Sequence, residues 1–173
     1  GYTTFTDSLQ NHTWADLDGN TARMTLGSDI AAQKGILVFN SAGNSGNNVW
    51  RKIGIPADGF NVIAVGAVDF YSELAGFSSR GLSADGRIKP DLLAVGAGVI
   101  VGGAEGETKQ SNGTSFSSPV LTGVATCLWQ ANPNKKWNEI KEALIQSADR
   151  YHIPDSNYGY GIPNVIIADA ILK

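Results

Sequence analysis

The chain is poor in several things that would place it in a special class. It has 173 residues but one cysteine, Cys127, so no disulfide can form within it. Apolar neighbours (Val124, Ala125, Leu128, Trp129) predict that this thiol is buried and inert. No apolar run approaches the ~20 residues needed to span a bilayer. No basic stripe is present, and 13 Lys and Arg against 16 Asp and Glu leave a net charge of −3, which argues against a nucleic-acid partner. The chain opens at Gly1 without Met, as a matured or cut chain would, so the want of a signal peptide says nothing about secretion. What it has in quantity is glycine, 21 residues, which favours tight turns and close backbone approaches.

The length suggests one domain with a real core. The stretch to about Asn20 is polar and turn-rich. Residues 21–34 read as a helix with Met24, Leu26, Ile30 and Ala31 as a loose apolar face. Asp16 and Asp18 in "ADLDGN" read as a turn and helix start, since an EF-hand would need more ligands and a closing Glu. "GILVFNSAGN" carries a continuous apolar run, Ile36–Phe39, as in a strand buried on both faces. "NVIAVGAVD" is a second buried strand, and "KPDLLAVGAGVIVGG" a third, bent one. Helices are expected from about Ser117 to Asn132 and from Asn138 to Ala148, with Ile140, Ala143, Leu144 and Ser147 facing inward; Gly123 and Ala125 would let the first lie close to a neighbour. Val165–Leu172 reads as a short helix or strand. Helices alternating with apolar strands indicate an α/β fold, a mostly parallel sheet flanked by helices. Ligands on such sheets bind beyond the carboxyl ends of the strands, which points to the loop "NSAGNSGNN".

The stretch "SNGTSFSSPV" places Ser115 close to a helix start, where free N–H groups and the helix dipole favour an oxyanion. Alone, Ser115 or Ser117 reads equally as a helix cap, and Asn44 as a left-handed turn residue between glycines. Pro119 fits a first turn if the helix starts near Ser117, and lies inside the helix if it starts near Ser115.

"NGTSFSSPVLTG" is similar to the nucleophile motif of the subtilisin-like serine proteases, Gly-Thr-Ser-x-Ala/Ser-x-Pro before a Gly-containing helix. "VFNSAGNSG" resembles that family's oxyanion-hole segment, and "PADGFNVIAVGAVD", "FSSRG", "DGRIKPDLLAVG" and "YGYGIPNVIIADAI" resemble further stretches in the family's order. The resemblance covers Ile36 to Lys173, with the two catalytic segments 71 positions apart (115 − 44). One departure is Ala94-Val95-Gly96, where the family often has Ala-Pro-Gly. The resemblance implies that Ser115 is the nucleophile and that Asn44 and the Ser115 N–H bind the oxyanion. It also implies that Ser41, Ala42 and Gly43 line the primary specificity pocket and that Thr114 supports the oxyanion hole.

The family orders its triad Asp, His, Ser, and neither Asp-Thr/Ser-Gly nor His-Gly-Thr/Ser is present here. His12 in "QNHTWADLD" and His152 in "DRYHIPDS" read as structural or surface residues. The chain therefore resembles the C-terminal portion of a single subtilisin-like catalytic domain, incomplete without an N-terminal part carrying Asp and His. Gly1 would close the family's Ser-Leu-Gly substrate-binding strand. The expected partners are a polypeptide substrate and the missing N-terminal part, or else self-association. No cofactor is required, calcium is expected only as a structural ion, and the setting implied by the family is secreted or cell-envelope. The isolated chain is expected to be inactive. The alternative is a subtilase-derived binding or scaffold domain; a serine esterase of another fold lacks its Gly-x-Ser-x-Gly elbow here.

Overall fold

A computed structural model describes residues 2–173. After two short 3-10 turns (Ser8–Gln10 and Trp14–Asp16) come α1 (Arg23–Gln33), β1 (Phe39–Ser41), β2 (Ile63–Val68), β3 (Gly81–Leu82), β4 (Ile88–Lys89) and β5 (Leu92–Val95). There follow β6 (Val99–Gly102), β7 (Thr108–Ser111), α2 (Thr114–Ala131), α3 (Trp137–Gln146) and α4 (Val165–Leu172). The central sheet is parallel, in the order β1-β2-β5, with Asn40 opposite Ala64 and Val65 opposite Leu92. β3–β4 and β6–β7 are antiparallel pairs.

β2 is buried along its whole length, as its unbroken apolar run requires. Alternate side chains serve opposite faces. Ile63 and Val65 join Leu92, Leu121, Ala125, Leu128, Ile140, Leu144, Ala168 and Leu172 in the main core. Ala64 joins Leu17, Ala22, Ala42, Ile53, Ile55 and Ala57 on the other side. The helical spacing of Leu121, Ala125 and Leu128 lays one face of α2 on the sheet. Ile140, Ala143, Leu144 and Ser147 are buried, as their spacing predicts.

Four expectations need correction. Cys127 is exposed, because it lies off the 121–125–128 stripe of α2 that meets the sheet. Gly123 is also exposed, and a Cβ there would meet nothing within 4 Å; Ala125, in contrast, is buried in the main core. The apolar residues of α1 face outward, with Met24 46%, Leu26 41% and Ile30 52% exposed, while Thr25, Asp29 and Ala32 are buried. Polar bonds set that rotation. Thr25 Oγ1 donates to Asp58 (2.6 Å), and the Asp29 carboxylate accepts the N–H groups of Phe60 (3.1 Å) and Asn61 (2.8 Å). Finally, β1 begins at Phe39 and is half-buried, and Ile36 is 56% exposed. β1 pairs with β2 alone, and its outer edge pairs with nothing among the described residues. The ambiguous Val165–Leu172 is a helix, capped by Asn164 Oδ1 on the N–H groups of Ile166 and Ile167.

Asp16 and Asp18 close local turns. Asp16 accepts from the Thr13 N–H and Asp18 from the N–H groups of Asn20 and Thr21. Burial pushes the Asp18 carboxyl up slightly, but these N–H groups and the Thr21 hydroxyl outweigh it and hold it below the usual carboxylate range.

At the amino end of the sheet, Lys89 is 2% exposed. Its Nζ donates to Gly59 O (3.1 Å), Val62 O (3.0 Å) and Asp91 Oδ2 (2.7 Å). The same Asp91 oxygen accepts the Ala64 N–H at 2.7 Å. A buried pair of this kind holds only when its remaining hydrogen bonds are made, and here they are.

Candidate active site

The site forms at the carboxyl end of the sheet, where β1 and β5 run into loops. Gly43 has φ +113°, a conformation open to glycine, and a Cβ there would lie 2.9 Å from Ser79 Oγ. Its turn presents Asn44 at the surface. Asn44 is not the left-handed residue of this loop; Gly43 is. From the other side, Gly96 at the end of β5 receives the Gly113 N–H (2.8 Å). A Cβ on Gly96 would lie 2.7 Å from Gly113 O and collide with the buried Ser117 Oγ. Only glycine lets β5 hold the start of α2 this closely.

Helix α2 begins at Thr114, directly after Gly113, so Ser115 lies in its first turn and Pro119 inside it. Pro119 has no N–H to give the Ser115 carbonyl four residues back. Neither Ser115 nor Ser117 caps the helix. Asn44 does so from a different segment: its Oδ1 accepts the Thr114 N–H at 3.0 Å and the Thr114 hydroxyl at 2.9 Å. The Thr114 hydroxyl in turn accepts the Gly43 N–H at 3.2 Å.

This clamp fixes which end of the amide is which. With Oδ1 held by two donors, Asn44 Nδ2 is the free end, and it donates to nothing among the described residues. It lies beside Gly113, 3.4 Å from the position a Cβ would take there. The Ser115 N–H also has no partner among the described residues. Two donors are therefore free around the start of α2, where Ser115 is exposed, at the positive end of an 18-residue helix. That is a ready place for negative charge on a reacting carbonyl.

Ser115 opens onto a cleft of about 480 Å³ lined also by Phe39, Asn40, Ser41, Ser118, Pro119 and Thr122. Ser41 thus faces the cleft. Ala42 stands behind it, fully buried, with its N–H bonded to Val65 O and its carbonyl to the Gly54 N–H. Gly43 is half-buried and both its backbone groups are bonded. Gly1 lies outside the described residues. Sequence reasoning missed Ser118 and Thr122 as lining residues, although 115, 118 and 122 share one helical face. It also missed the capping of α2 by Asn44, for which a spacing of 70 positions offers no local signal.

Neither histidine reaches this cleft. His12 Nδ1 lies 3.8 Å from Asp16 Oδ2, its ring edge-on to Phe5, and His152 packs against Tyr151. Among the described residues no three His, Cys, Asp or Glu side chains gather as a metal site, and no helix is long and apolar enough to cross a membrane.

A parallel α/β sheet thus brings a serine in the first turn of a helix and the amide that caps that helix together at the strands' carboxyl ends. The chain belongs to the subtilase family, whose sequence profile, Peptidase_S8, matches residues 6–161. It is 35% identical over 150 residues to the membrane-bound transcription factor site-1 protease of Homo sapiens, covering 80% of this chain and 14% of that protein. It is 33% identical to the serine protease AprX of Bacillus subtilis (75% of this chain, 34% of AprX) and 31% identical to subtilisin DY of Bacillus licheniformis (95% and 62%). Among solved structures, the self-cleaved protease domain of PatA matches with TM-score 0.69 and 28% identity, over 83% of this chain and 52% of its own. The Prenylagaramide maturation protease PagA matches with TM-score 0.70 and 26% identity, over 88% and 56%. The chain therefore has a subtilisin-like fold and spans about half, or less, of most of these relatives.

Proposed function

We propose that this chain is the C-terminal portion of the catalytic domain of a subtilisin-type serine endopeptidase. Ser115 Oγ attacks the scissile carbonyl of a polypeptide and forms an acyl-enzyme, which water then hydrolyses. Asn44 Nδ2 and the Ser115 N–H stabilise the oxyanion. Thr114 positions Asn44, and Ser41, with Gly43 behind the turn, borders the substrate. The observation that carries this reading is the double clamp of Thr114 on Asn44 Oδ1, which leaves Nδ2 free beside the serine.

The base and its orienting acid come from the part of the domain that this chain does not contain. Two observations support that. Neither histidine lines the Ser115 cleft. The open edge of β1 and the outward apolar side chains of α1 give the remaining strands a place to dock. The same edge admits self-association of the isolated chain, which we expect to be inactive. The reaction so built draws on side chains and backbone and calls for no cofactor. Calcium enters only as a structural ion, with no residue above reserved for it. A secreted or cell-envelope setting follows from the family.

The test is fluorophosphonate labelling. The protein with its complete catalytic domain should be labelled at Ser115, with labelling lost in Ser115→Ala, whereas the isolated chain should stay unlabelled. An unlabelled complete domain that still binds polypeptide would replace this reading with the binding-domain one.

A further inference from the structure

On the face formed by the loops after β1 and before α4 lies a second cleft, of about 440 Å³, distinct from that of Ser115. Its lining holds three cations, Arg51, Lys52 and Arg80, with Asn47, Ser156 and Asn157, and no carboxylate. In a chain of net charge −3 this is an unusual concentration of positive charge. None of the three enters an ion pair among the described residues. The nearest acid in sequence, Asp155, is occupied by Arg150 and by the N–H groups of Asn157 and Tyr158.

The backbone holds these charges together against their repulsion. Arg51 has φ +55°, a left-handed conformation costing about 1 kcal/mol or more for a residue with a Cβ. That turn brings its carbonyl to the Arg80 N–H at 2.9 Å, and Lys52 bridges Arg80 in parallel. Two glycines keep the floor clear. At Gly46 a side chain would strike the backbone of Gly76 and Ser78, and at Gly81 (φ +114°) a Cβ would come 2.9 Å from the Lys52 stem. Arg80 Nη2 donates to Gly76 O at 3.3 Å, which anchors the guanidinium. Its Nε is buried and donates to nothing among the described residues. Nη1 makes no hydrogen bond among the described residues, so the guanidinium keeps a charged donor for an acceptor.

We propose that this cleft binds an oxyanion of the phosphate or carboxylate type, received by the Arg80 fork with Arg51 and Lys52 supplying charge. Guanidinium groups match such anions in shape as well as sign. The site is independent of the Ser115 chemistry.

Inorganic phosphate, titrated by calorimetry into the intact protein at constant ionic strength, is the probe; an N-acetyl, C-amidated glutamate is the second arm. Saturable binding of either, at one site per chain and unchanged in Ser115→Ala, supports the proposal, and the tighter ligand identifies the source. Arg80→Met, and separately the surface variant Arg51→Glu/Lys52→Glu, should each weaken binding roughly 10- to 100-fold, the loss of a charge-assisted hydrogen bond. The surface variant removes charge without touching Arg80, so a folding defect in Arg80→Met leaves the test intact. No saturable binding of either probe, or binding indifferent to the surface variant, overturns it.

Discussion

The two ends of the central sheet treat their polar groups in opposite ways. At the amino end the carboxylates and Lys89 are paired: Asp29 with two N–H groups, Asp58 with Gly19 N–H and the Thr25 hydroxyl, and Lys89 with three oxygens, while Arg87 Nη2 alone in this group stays without a partner among the described residues. At the carboxyl end the pairing stops short: Asn44 Nδ2, the Ser115 N–H and the Ser115 hydroxyl stand free. One end is held by side-chain hydrogen bonds, and the other keeps free donors at its surface. Asn44 and Ser115 are exposed, so water can serve their free groups, whereas the Ser117 hydroxyl beneath Gly96 is buried and has no partner among the described residues.

The contrast can be broken at either end. The largest effect on stability is expected from Lys89→Met. It keeps the stem but strands the Asp91 carboxylate, a loss of about 3–5 kcal/mol. Chemical denaturation of the complete protein reads this out, and a change under 1 kcal/mol would show that the amino end is not held as described. Next comes Asn44→Ala. Removing an oxyanion donor lowers kcat by about 10²–10³-fold, a magnitude established on a subtilisin asparagine. Because Asn44 Oδ1 also caps α2, this variant should lose roughly 1 kcal/mol of stability as well. A fall in kcat without that loss would separate the two roles. The smallest effect belongs to Thr114→Val, which removes one of the two donors to Asn44 and leaves the N–H. The same change also takes away the acceptor of the Gly43 N–H; for the bond that holds Asn44, kcat should fall by about 2- to 13-fold with KM unchanged, the scale of one neutral hydrogen bond, and Thr114→Ser, which keeps both bonds, should restore it.

Much of this was legible in the sequence. The buried run of β2 and the inward spacing on α3 needed no partner to be read correctly, because both lie inside the core whatever surrounds them. The motifs around Asn44 and Ser115 pointed to the candidate site, and the fold brings these two segments together. The misreadings share a physical cause. Met24, Leu26 and Ile30 on α1 and Ile36 before β1 are apolar and yet exposed, so a rule that sends apolar residues inward fails at a surface open to further packing. Cys127 failed for a simpler reason: of its apolar sequence neighbours only Val124 shares its helical face, and the stripe that meets the sheet is Leu121, Ala125 and Leu128. The Asn44 cap joins segments 70 residues apart, and the Arg51–Arg80 cleft joins three loops. Neither has a local pattern, since each exists only once the chain is folded.

Lys89 has one more consequence. A dissolved cation placed among Gly59 O, Val62 O and Asp91 would be lost at each local opening and recaptured at a rate set by its concentration in the medium. The ammonium of Lys89 is on a covalent tether, so its effective concentration is fixed by the length of its own stem. The amino end of the sheet thus carries a counter-ion that dilution cannot remove and a chelator cannot extract.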